Sequence, residues 1–398
     1  MWIETDLPDT LVVGCFALLG VVLGSFLNVC ILRWGAEPKQ SVMYPPSRCP
    51  ACGHAIRWYE NIPIVSWLFL RGRCSECGVR ISPMYPAIEA ATALIWAGAV
   101  ALRGLGLPAV ELAVAATLLL GIAVSDARAF IIPHEFSLGG TVIALAFAAW
   151  PDPAGVLDAV QGALFGAGLV LLVGELTELM LGQEAMGGGD CALMGMVGAF
   201  FGWESIWPVL ALGAFIGILL HLLASLRRVP PVPEDGGAEP PQTLRWGKLA
   251  RLLAGGLVLV ALMGGAARAG VIGGILRGTF HAVLGAGAAY YVSFALPKRM
   301  LGGPLTQVWG LLGAGAGIAI GSAHWSGILA GLALGGVALA WASRQTVTAS
   351  PASTEELSAQ GYLPFGVGLS IAAVVLAYSG GLERVREIFA EVGPGLGL

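Results

Sequence analysis

Charged side chains are scarce in this sequence. Asp, Glu, Lys and Arg make up only 12% of its 398 residues, whereas 57% are hydrophobic. A soluble domain carries about a quarter of its residues as charged side chains, so this composition excludes an ordinary soluble globular protein. The 21 Lys and Arg residues do not exceed the 25 Asp and Glu residues, which argues against a nucleic-acid surface. We therefore expect membrane-borne partners and a lipid bilayer as the main solvent, and no nucleic acid.

A basic segment is missing from the N-terminus. Glu4, Asp6 and Asp9 occupy the region where a secretory signal carries positive charge, and the apolar run from Leu11 lacks a small-residue cleavage site. We expect this run to be retained as a helix. Runs long enough to cross a bilayer recur along the chain, which predicts an all-α polytopic integral membrane protein with about 10–12 transmembrane helices.

The predicted spans are separated by short polar or Gly/Pro-rich segments. They cover residues 11–32, 86–102, 108–124, 137–150, 157–181, 193–203, 207–226, 252–263, 272–296, 308–320, 326–342 and 365–378. The loop 33–80 contains seven Lys or Arg against three Glu, so the positive-inside rule predicts that it faces the cytoplasm and that the N-terminus is outside.

The resulting domain organisation has six parts. They are a first transmembrane helix (1–32), a cytoplasmic loop domain (33–85), a membrane bundle (86–228), a Pro- and Gly-rich cytoplasmic linker (229–248), a second membrane bundle (249–360), and a closing helix with an amphipathic tail (361–398). The Gly-rich segment after Met300 resembles the one after Met186, which suggests that the second bundle is a degenerate repeat.

Four of the seven cysteines form two CxxC pairs, Cys49/Cys52 and Cys74/Cys77, and a glycine follows each pair. This spacing is typical of a zinc ribbon, in which four thiolates close a tetrahedral structural site. Free thiols or disulfides are the alternative, but disulfides require an oxidising compartment, which the predicted topology disfavours. We expect His54 to be a neighbour of this site and not a ligand.

Two acidic residues lie at predicted membrane boundaries on the same side. Asp126 precedes Pro133 by seven positions, and Asp190 follows three glycines. Either carboxylate alone is typical of an ordinary helix end that reaches water. Together, two close carboxyl groups share a proton and hold a water molecule, so that one serves as base and the other as acid. Glycines before Asp190 let a substrate backbone approach, and Pro133 breaks helical hydrogen bonding near Asp126.

These residues resemble the prepilin-type leader peptidases, which are bifunctional membrane enzymes of bacterial type IV pilus and type II secretion systems. The resemblance lies in the following segments: Gly24-Ser-Phe-Leu-Asn-Val29, Arg33, the two CxxC pairs around residues 56–67 and Arg71-Gly-Arg73, Tyr85-Pro86, Glu89, Asp126 with Ile132-Pro133, Gly-x-Gly-Asp190, and Leu363-Pro-Phe-Gly366. Relative to that family, residues 229–360 are an insertion.

The resemblance implies that Asp126 and Asp190 are the catalytic residues of an aspartic endopeptidase in the bacterial inner membrane. It also implies that a short basic leader is removed from prepilins or pseudopilins after a glycine, on the cytoplasmic side. Methylation of the new N-terminus would then use S-adenosylmethionine. Gly72, Asn28 and Glu89 are the candidate residues for methylation, with structural packing as an equal alternative for each. The CxxC spacing already predicts Cys49, Cys52, Cys74 and Cys77 as the zinc ligands.

The sequence departs from the family pattern at two positions near the acids. Ala192 stands where members usually have a lysine, and Arg128 stands where many have a second Asp. His134 and Glu135, just after Pro133, are expected to start a solvated helix. Because the lysine is absent, a scaffold that binds pilin-like helices without cutting them is an alternative, and intramembrane acids also occur in transporters.

Overall fold

The computed structural model describes residues 9–36, 38–150, 153, 155–181, 186–227, 283–284, 286–288 and 365–396. The predicted linker 229–248 lies outside these residues, as do the predicted spans 252–263, 308–320 and 326–342 and most of 272–296. The Gly-rich segment after Met300 is also outside them.

The described chain is helical. Its ten α-helices are α1 (Asp9–Trp34), α2 (Val65–Phe69), α3 (Met84–Arg103), α4 (Leu107–Ala129), α5 (His134–Ala148), α6 (Gly155–Leu181), α7 (Gly188–Phe201), α8 (Ile206–Arg227), α9 (Phe365–Tyr378) and α10 (Gly381–Leu396). Two short 3₁₀ helices span Trp58–Asn61 and Trp203–Ser205. The described loop between α1 and α3 contains α2, the first 3₁₀ helix and two isolated antiparallel bridges, Arg48 with Ala55 and Arg73 with Arg80.

Five helices within the described residues are long and apolar enough to cross a bilayer. They are Asp9–Trp34, Met84–Arg103, Leu107–Ala129, Gly155–Thr177 and Trp203–Leu220, and a sixth span results if α9 and α10 are counted as one span bent by 78°. Helices α5 and α7 are apolar but shorter. The prediction of an all-helical, multi-pass membrane protein is therefore confirmed.

Glycines allow the helices of this bundle to pack closely. On α1, a Cβ at Gly24 would lie 2.7 Å from the Cα of Glu89 on α3. Gly162 of α6 and Gly198 of α7 face each other so closely that a Cβ on either would overlap the carbonyl of the other. Helix α9 packs against α4, α7 and α8, and small residues at such contacts let backbones approach within a membrane.

The end of α4 differs from the predicted boundary at residue 124. The helix continues to Ala129, so Asp126 lies in its last turn and not in the following loop. Phe130 then adopts a left-handed conformation (φ 53°) and Pro133 precedes α5. The apolar run ends at Val124, but the backbone remains helical until the left-handed residue and the proline stop it.

Candidate active site and metal centre

Asp126 is held by a segment that is far away in sequence. Its side chain is buried, and its Oδ2 accepts a hydrogen bond from the N–H of Val367 at 3.1 Å. Val367 is the third residue of α9, and the first N–H groups of a helix have no partner within the helix. The carboxylate thus satisfies an otherwise free donor and lies at the positive end of the α9 dipole.

Gly366 leaves room for this contact. A Cβ at Gly366 would lie 2.8 Å from Asp126 Oδ2 and 2.8 Å from Ile132 Cδ1. Real side chains do not approach this closely, so any larger residue would displace the carboxylate or the start of α9. The last residue of the Leu-Pro-Phe-Gly motif therefore lies next to Asp126. The large separation of the two residues along the chain gives no sign of this contact.

Asp190 lies in the first turn of α7 and is half-buried. Its backbone N–H donates to Gly187 O at 3.1 Å, and its carboxyl group is near enough to Asp126 for the two charges to repel. A Cβ at Gly189 would lie 3.0 Å from Ile132 Cβ, and one at Gly366 would lie 2.8 Å from Ile132 Cδ1, so Ile132 packs between the starts of α7 and α9. The fold brings the two predicted aspartates together.

The departures from the family pattern leave this pair without a basic partner among the described residues. Ala192 is fully buried on α7, and the Arg128 guanidinium lies against Met84 Sδ at 3.5 Å. Within the part of the chain that the structure describes, no Lys, Arg or His forms an ion pair with Asp126 or Asp190. Glu135 instead pairs with Lys39 at 2.8 Å, as expected for a solvated start of α5.

A third buried acid near the pair was not predicted. Glu175 of α6 is 6% exposed and interacts electrostatically with Cys191, the neighbour of Asp190. An acidic residue inside an otherwise apolar run is a signal that the sequence does contain.

The four CxxC cysteines converge as predicted. Their sulfur atoms all lie within 4.8 Å of one another, and Cys49 Sγ is 3.8 Å from Cys77 Sγ. Four thiolates bound at about 2.3 Å to one tetrahedral ion would be about 3.8 Å apart. Hydrogen bonds from the backbone N–H groups of Cys52 and Ala51 lower the pKa of Cys49 to about 6, whereas burial and the neighbouring thiols raise the pKa of Cys52. Cys49 therefore forms the thiolate that a metal requires more readily than Cys52 does.

The two CxxC turns have the same construction. In each, the N–H of the first cysteine donates to the carbonyl five residues later, from Cys49 to His54 and from Cys74 to Val79, both at 2.9 Å. Gly53 and Gly78 adopt φ values of 72° and 68°. Glycine adopts this left-handed conformation without a steric penalty, so each turn directs two sulfurs toward one point.

Glu60 joins the two CxxC turns. Its carboxylate accepts hydrogen bonds from the Ser75 hydroxyl at 2.6 Å and the Arg57 N–H at 2.9 Å, and it lies 3.1 Å from His54 Nε2. These contacts lower the pKa of Glu60 to about 2, and the hydrogen bond from Ser75 has the largest effect. His54 thus lies beside the cysteine cluster and contacts Glu60; that it does not bind a metal stays a prediction.

A cavity of about 640 Å³ is lined by the ends of α1 and α3 and by the loop between them, here called the cysteine loop. Cys49, Cys74 and Glu60 line one part of it, and Asn28 and Glu89 line another. Pockets of this volume hold ligands of cofactor size. The structure therefore brings two of the three methylation candidates, Asn28 and Glu89, to one cavity.

Gly72, the third candidate, supports the cavity wall instead of lining it. It has φ 65°, and a Cβ there would lie 2.8 Å from the indole of Trp67. Trp67 itself lines the cavity and donates through Nε1 to Ile81 O at 3.2 Å. Gly72 therefore permits the turn and the position of Trp67.

Two protein families match this chain. Residues 18–103 match the Bacterial Peptidase A24 N-terminal domain, and residues 113–222 match the Type IV leader peptidase family. A prepilin leader peptidase/N-methyltransferase of Myxococcus xanthus (strain DK1622) is 40% identical over 243 residues, which cover 58% of this chain and 70% of the relative. The chain belongs to the type IV leader peptidase family.

Other relatives agree with this assignment. A prepilin leader peptidase/N-methyltransferase of Burkholderia pseudomallei (strain 1026b) is 32% identical over 282 residues, covering 63% of this chain and 90% of the relative. One of Pseudomonas aeruginosa is 36% identical over 246 residues, covering 55% and 84%. No solved structure matches.

In this member of the family, each of the two matched regions contains a different part of the candidate site. The N-terminal region, 18–103, contains the cysteine cluster and the cavity residues Asn28 and Glu89, and the second region, 113–222, contains Asp126 and Asp190. Gly366 and Val367, which contact Asp126, follow both matched regions.

Proposed function

We propose that this protein is a membrane aspartyl endopeptidase that removes the leader of type IV prepilins or type II secretion pseudopilins. The observation that carries the proposal is the convergence of Asp126 and Asp190 at the ends of α4 and α7, in a member of this family. The substrate class follows the names of the relatives.

The two aspartates activate water between them. The ionised carboxylate takes a proton from the water, whose oxygen attacks the scissile carbonyl carbon. The protonated carboxyl group donates to the developing oxyanion or to the leaving amine. The C–N bond then breaks, and the new N-terminus carries the proton. Hydrogen bonding from the Val367 N–H to Asp126 Oδ2 fixes one carboxyl group in place before the substrate binds.

The start of α7 supplies space for the substrate backbone. Gly188 is exposed, and a Cβ there would meet no atom within 4 Å. An extended peptide lying beside Gly188 would approach Asp190 without a side-chain obstruction. A helix must unwind before its peptide bonds are cut, and the break at Ile132-Pro133 provides non-helical backbone next to Asp126.

We assign zinc to Cys49, Cys52, Cys74 and Cys77. The thiolate donor set and the sulfur separations fit a tetrahedral Zn²⁺ ion, and four protein ligands leave no open position for catalysis. Its role is therefore structural: it fixes the loop that forms one wall of the cavity. The basic loop and the aspartates would both face the cytoplasm, because of the excess of Lys and Arg in residues 33–80.

The cavity is the proposed place of N-methylation. Its volume suits S-adenosylmethionine, and Asn28 offers a buried Oδ1 without a hydrogen-bond partner among the described residues, an atom that an N–H or O–H of a ligand would satisfy. When bound, S-adenosylmethionine supplies an activated methyl group. Asn28 and Glu89 contribute polar atoms to the cavity, and Trp67, held by Gly72, contributes apolar surface.

The test is mass spectrometry of a prepilin-like peptide with a basic leader and a Gly-Phe junction, incubated with the purified protein and S-adenosylmethionine. We expect loss of the leader and gain of one methyl group. An intact peptide, with a known leader peptidase active in parallel, would favour the non-cleaving scaffold that the missing lysine at Ala192 allows. Cleavage without methylation would retain the peptidase and reject the methyltransferase.

A further inference from the structure

Glu89 is a buried carboxylate without a positive partner in the described structure. It is 6% exposed, its Oε2 accepts a hydrogen bond from the Ile64 N–H at 2.7 Å, and the Ser25 hydroxyl also interacts with it. Among the described residues, no Lys, Arg or His lies within 4.0 Å of this carboxylate. Two neutral donors only partly offset the cost of burying a charge, so a cation would bind favourably here.

Asn28 adds a second unsatisfied acceptor to the same cavity. The residue is 3% exposed; its Nδ2 donates to Tyr85 O at 3.1 Å, and its Oδ1 has no partner among the described residues. A primary ammonium group carries three N–H donors and bears a positive charge. It therefore matches both features, whereas an anion or an apolar group matches neither.

The two residues occupy the membrane end of the cavity. Asn28 lies six residues before the end of α1, and Glu89 lies five residues after the start of α3, which places them roughly 8–9 Å inside the helix ends. Cys49 and Cys74 line the cavity from the loop. A peptide anchored in the bilayer reaches the membrane end most directly, whereas a water-soluble methyl donor reaches the loop end.

We propose that Glu89 and Asn28 bind the N-terminal ammonium group of the peptide that remains after leader removal. This inference rests on the proposed function and specifies which reactant occupies which end of the cavity. Glu89 takes one proton from the ammonium and leaves a neutral amine. The amine lone pair forms the new N–C bond as the S–C bond of the sulfonium donor breaks, which leaves a thioether, and the methylated amine retains a positive charge.

The experiment measures peptide binding without any methyl donor, so that catalysis is not the readout. The full-length protein in lipid nanodiscs is titrated into a dye-labelled peptide that begins with Phe and has either a free or an acetylated N-terminus, followed by fluorescence anisotropy. We expect wild-type protein to prefer the free amine by about tenfold or more, as for a hydrogen bond between charged groups. Glu89→Gln should reduce this ratio to nearly one.

Glu76→Gln is the matched control. Glu76 is an exposed carboxylate of the cysteine loop that does not line the cavity, and its replacement should leave the ratio at the wild-type value. Zinc content and thermal melting report whether each variant is folded. Glu89→Met, which has a similar volume and no carboxyl group, replaces Glu89→Gln if the latter melts early.

Equal wild-type affinities for the two peptides would overturn the proposal without any variant. So would a preference that survives Glu89→Gln or Glu89→Met. S-Adenosylhomocysteine also carries a primary ammonium; if it displaces the free-amine peptide and loses affinity on Glu89→Gln, the subsite belongs to the donor and the proposal fails. If the wild-type protein prefers the free amine but never methylates it, the proposed methyltransferase activity is wrong, whereas the proposed amine subsite is supported.

Discussion

The cysteine loop and the aspartate pair of this molecule are assembled over very different distances along the chain. In the loop, each CxxC turn closes on itself within a few residues, and Glu60 joins the two turns through Ser75, 15 positions away. At the aspartate pair, the Val367 N–H reaches Asp126 across 241 positions. The first site is local, whereas the second exists only when the bundle has closed.

This difference indicates that the two sites respond to different perturbations. A closed site of four thiolates derives its folding free energy from the metal, so removal of the ion should affect the loop and its cavity first. The aspartate pair derives its geometry from helix packing, in which α9 lies against α4, α7 and α8. Changes at the start of α9 should therefore affect cleavage and leave the metal in place.

The largest effect should come from removing either acid. Asp126→Asn and Asp190→Asn each eliminate a group that must gain or lose a proton, and we expect cleavage to fall by about 10²–10⁴-fold. Kinetics on a prepilin-like peptide measure this fall. Zinc content should stay at the wild-type value. Near-normal cleavage in either variant would show that the two acids do not form the catalytic pair.

Loss of the metal should be the next largest effect. Cys49→Ser combined with Cys74→Ser removes one ligand from each turn, and we expect bound zinc to disappear and the loop to become sensitive to proteolysis, because an incomplete site binds zinc weakly. Metal analysis and limited proteolysis of the purified protein measure both. Unchanged zinc stoichiometry would contradict the assignment of zinc to the four cysteines.

Gly366→Ala tests whether the start of α9 positions Asp126. The added Cβ would lie 2.8 Å from Asp126 Oδ2, and displacement of that carboxylate should lower kcat by about 10- to 100-fold. Gly139→Ala on α5 is the matched control, since a Cβ there meets no atom within 4 Å. Equal activity of the two variants would mean that the start of α9 does not position Asp126.

The smallest effect should come from Glu60, which supports the metal site without binding the ion. Glu60→Gln replaces a carboxylate that accepts hydrogen bonds from both CxxC turns, and we expect zinc affinity to fall by about 10-fold, as for other residues that support metal ligands. Competition with a chromophoric chelator measures it. Glu76→Gln, at the same loop but 56% exposed, should be neutral; a larger loss there would contradict the role of Glu60.

The local features of the molecule were predictable from its sequence. Apolar runs located the helices to within a few residues, and the predicted span 365–378 coincides with α9. The CxxC spacing predicted the cysteine cluster because a short turn determines where its two sulfurs lie. The left-handed Phe130, which ends α4, left no comparable mark in the apolar pattern.

Long-range features were not predictable. Nothing around Gly366 or Val367 indicates that their backbone meets Asp126, because that contact depends on how α9 packs. Asn28 and Glu89 were candidates by resemblance alone, and their shared cavity results from the close packing of α1 on α3 at Gly24. Glu175 was overlooked because an acid near the end of a long apolar helix does not indicate which residues it will face.

Whether one chain contains two separable sites can be tested in a single mass-spectrometric assay. A prepilin-like peptide is incubated with S-adenosylmethionine and one of three proteins: wild type, Asp126→Asn, or Cys49→Ser combined with Cys74→Ser. We predict a cleaved and methylated product from wild type, an intact peptide from Asp126→Asn, and a cleaved but unmethylated product from the cysteine variant. Methylation by the cysteine variant at the wild-type level, or cleavage by Asp126→Asn, would contradict the separation of the two sites.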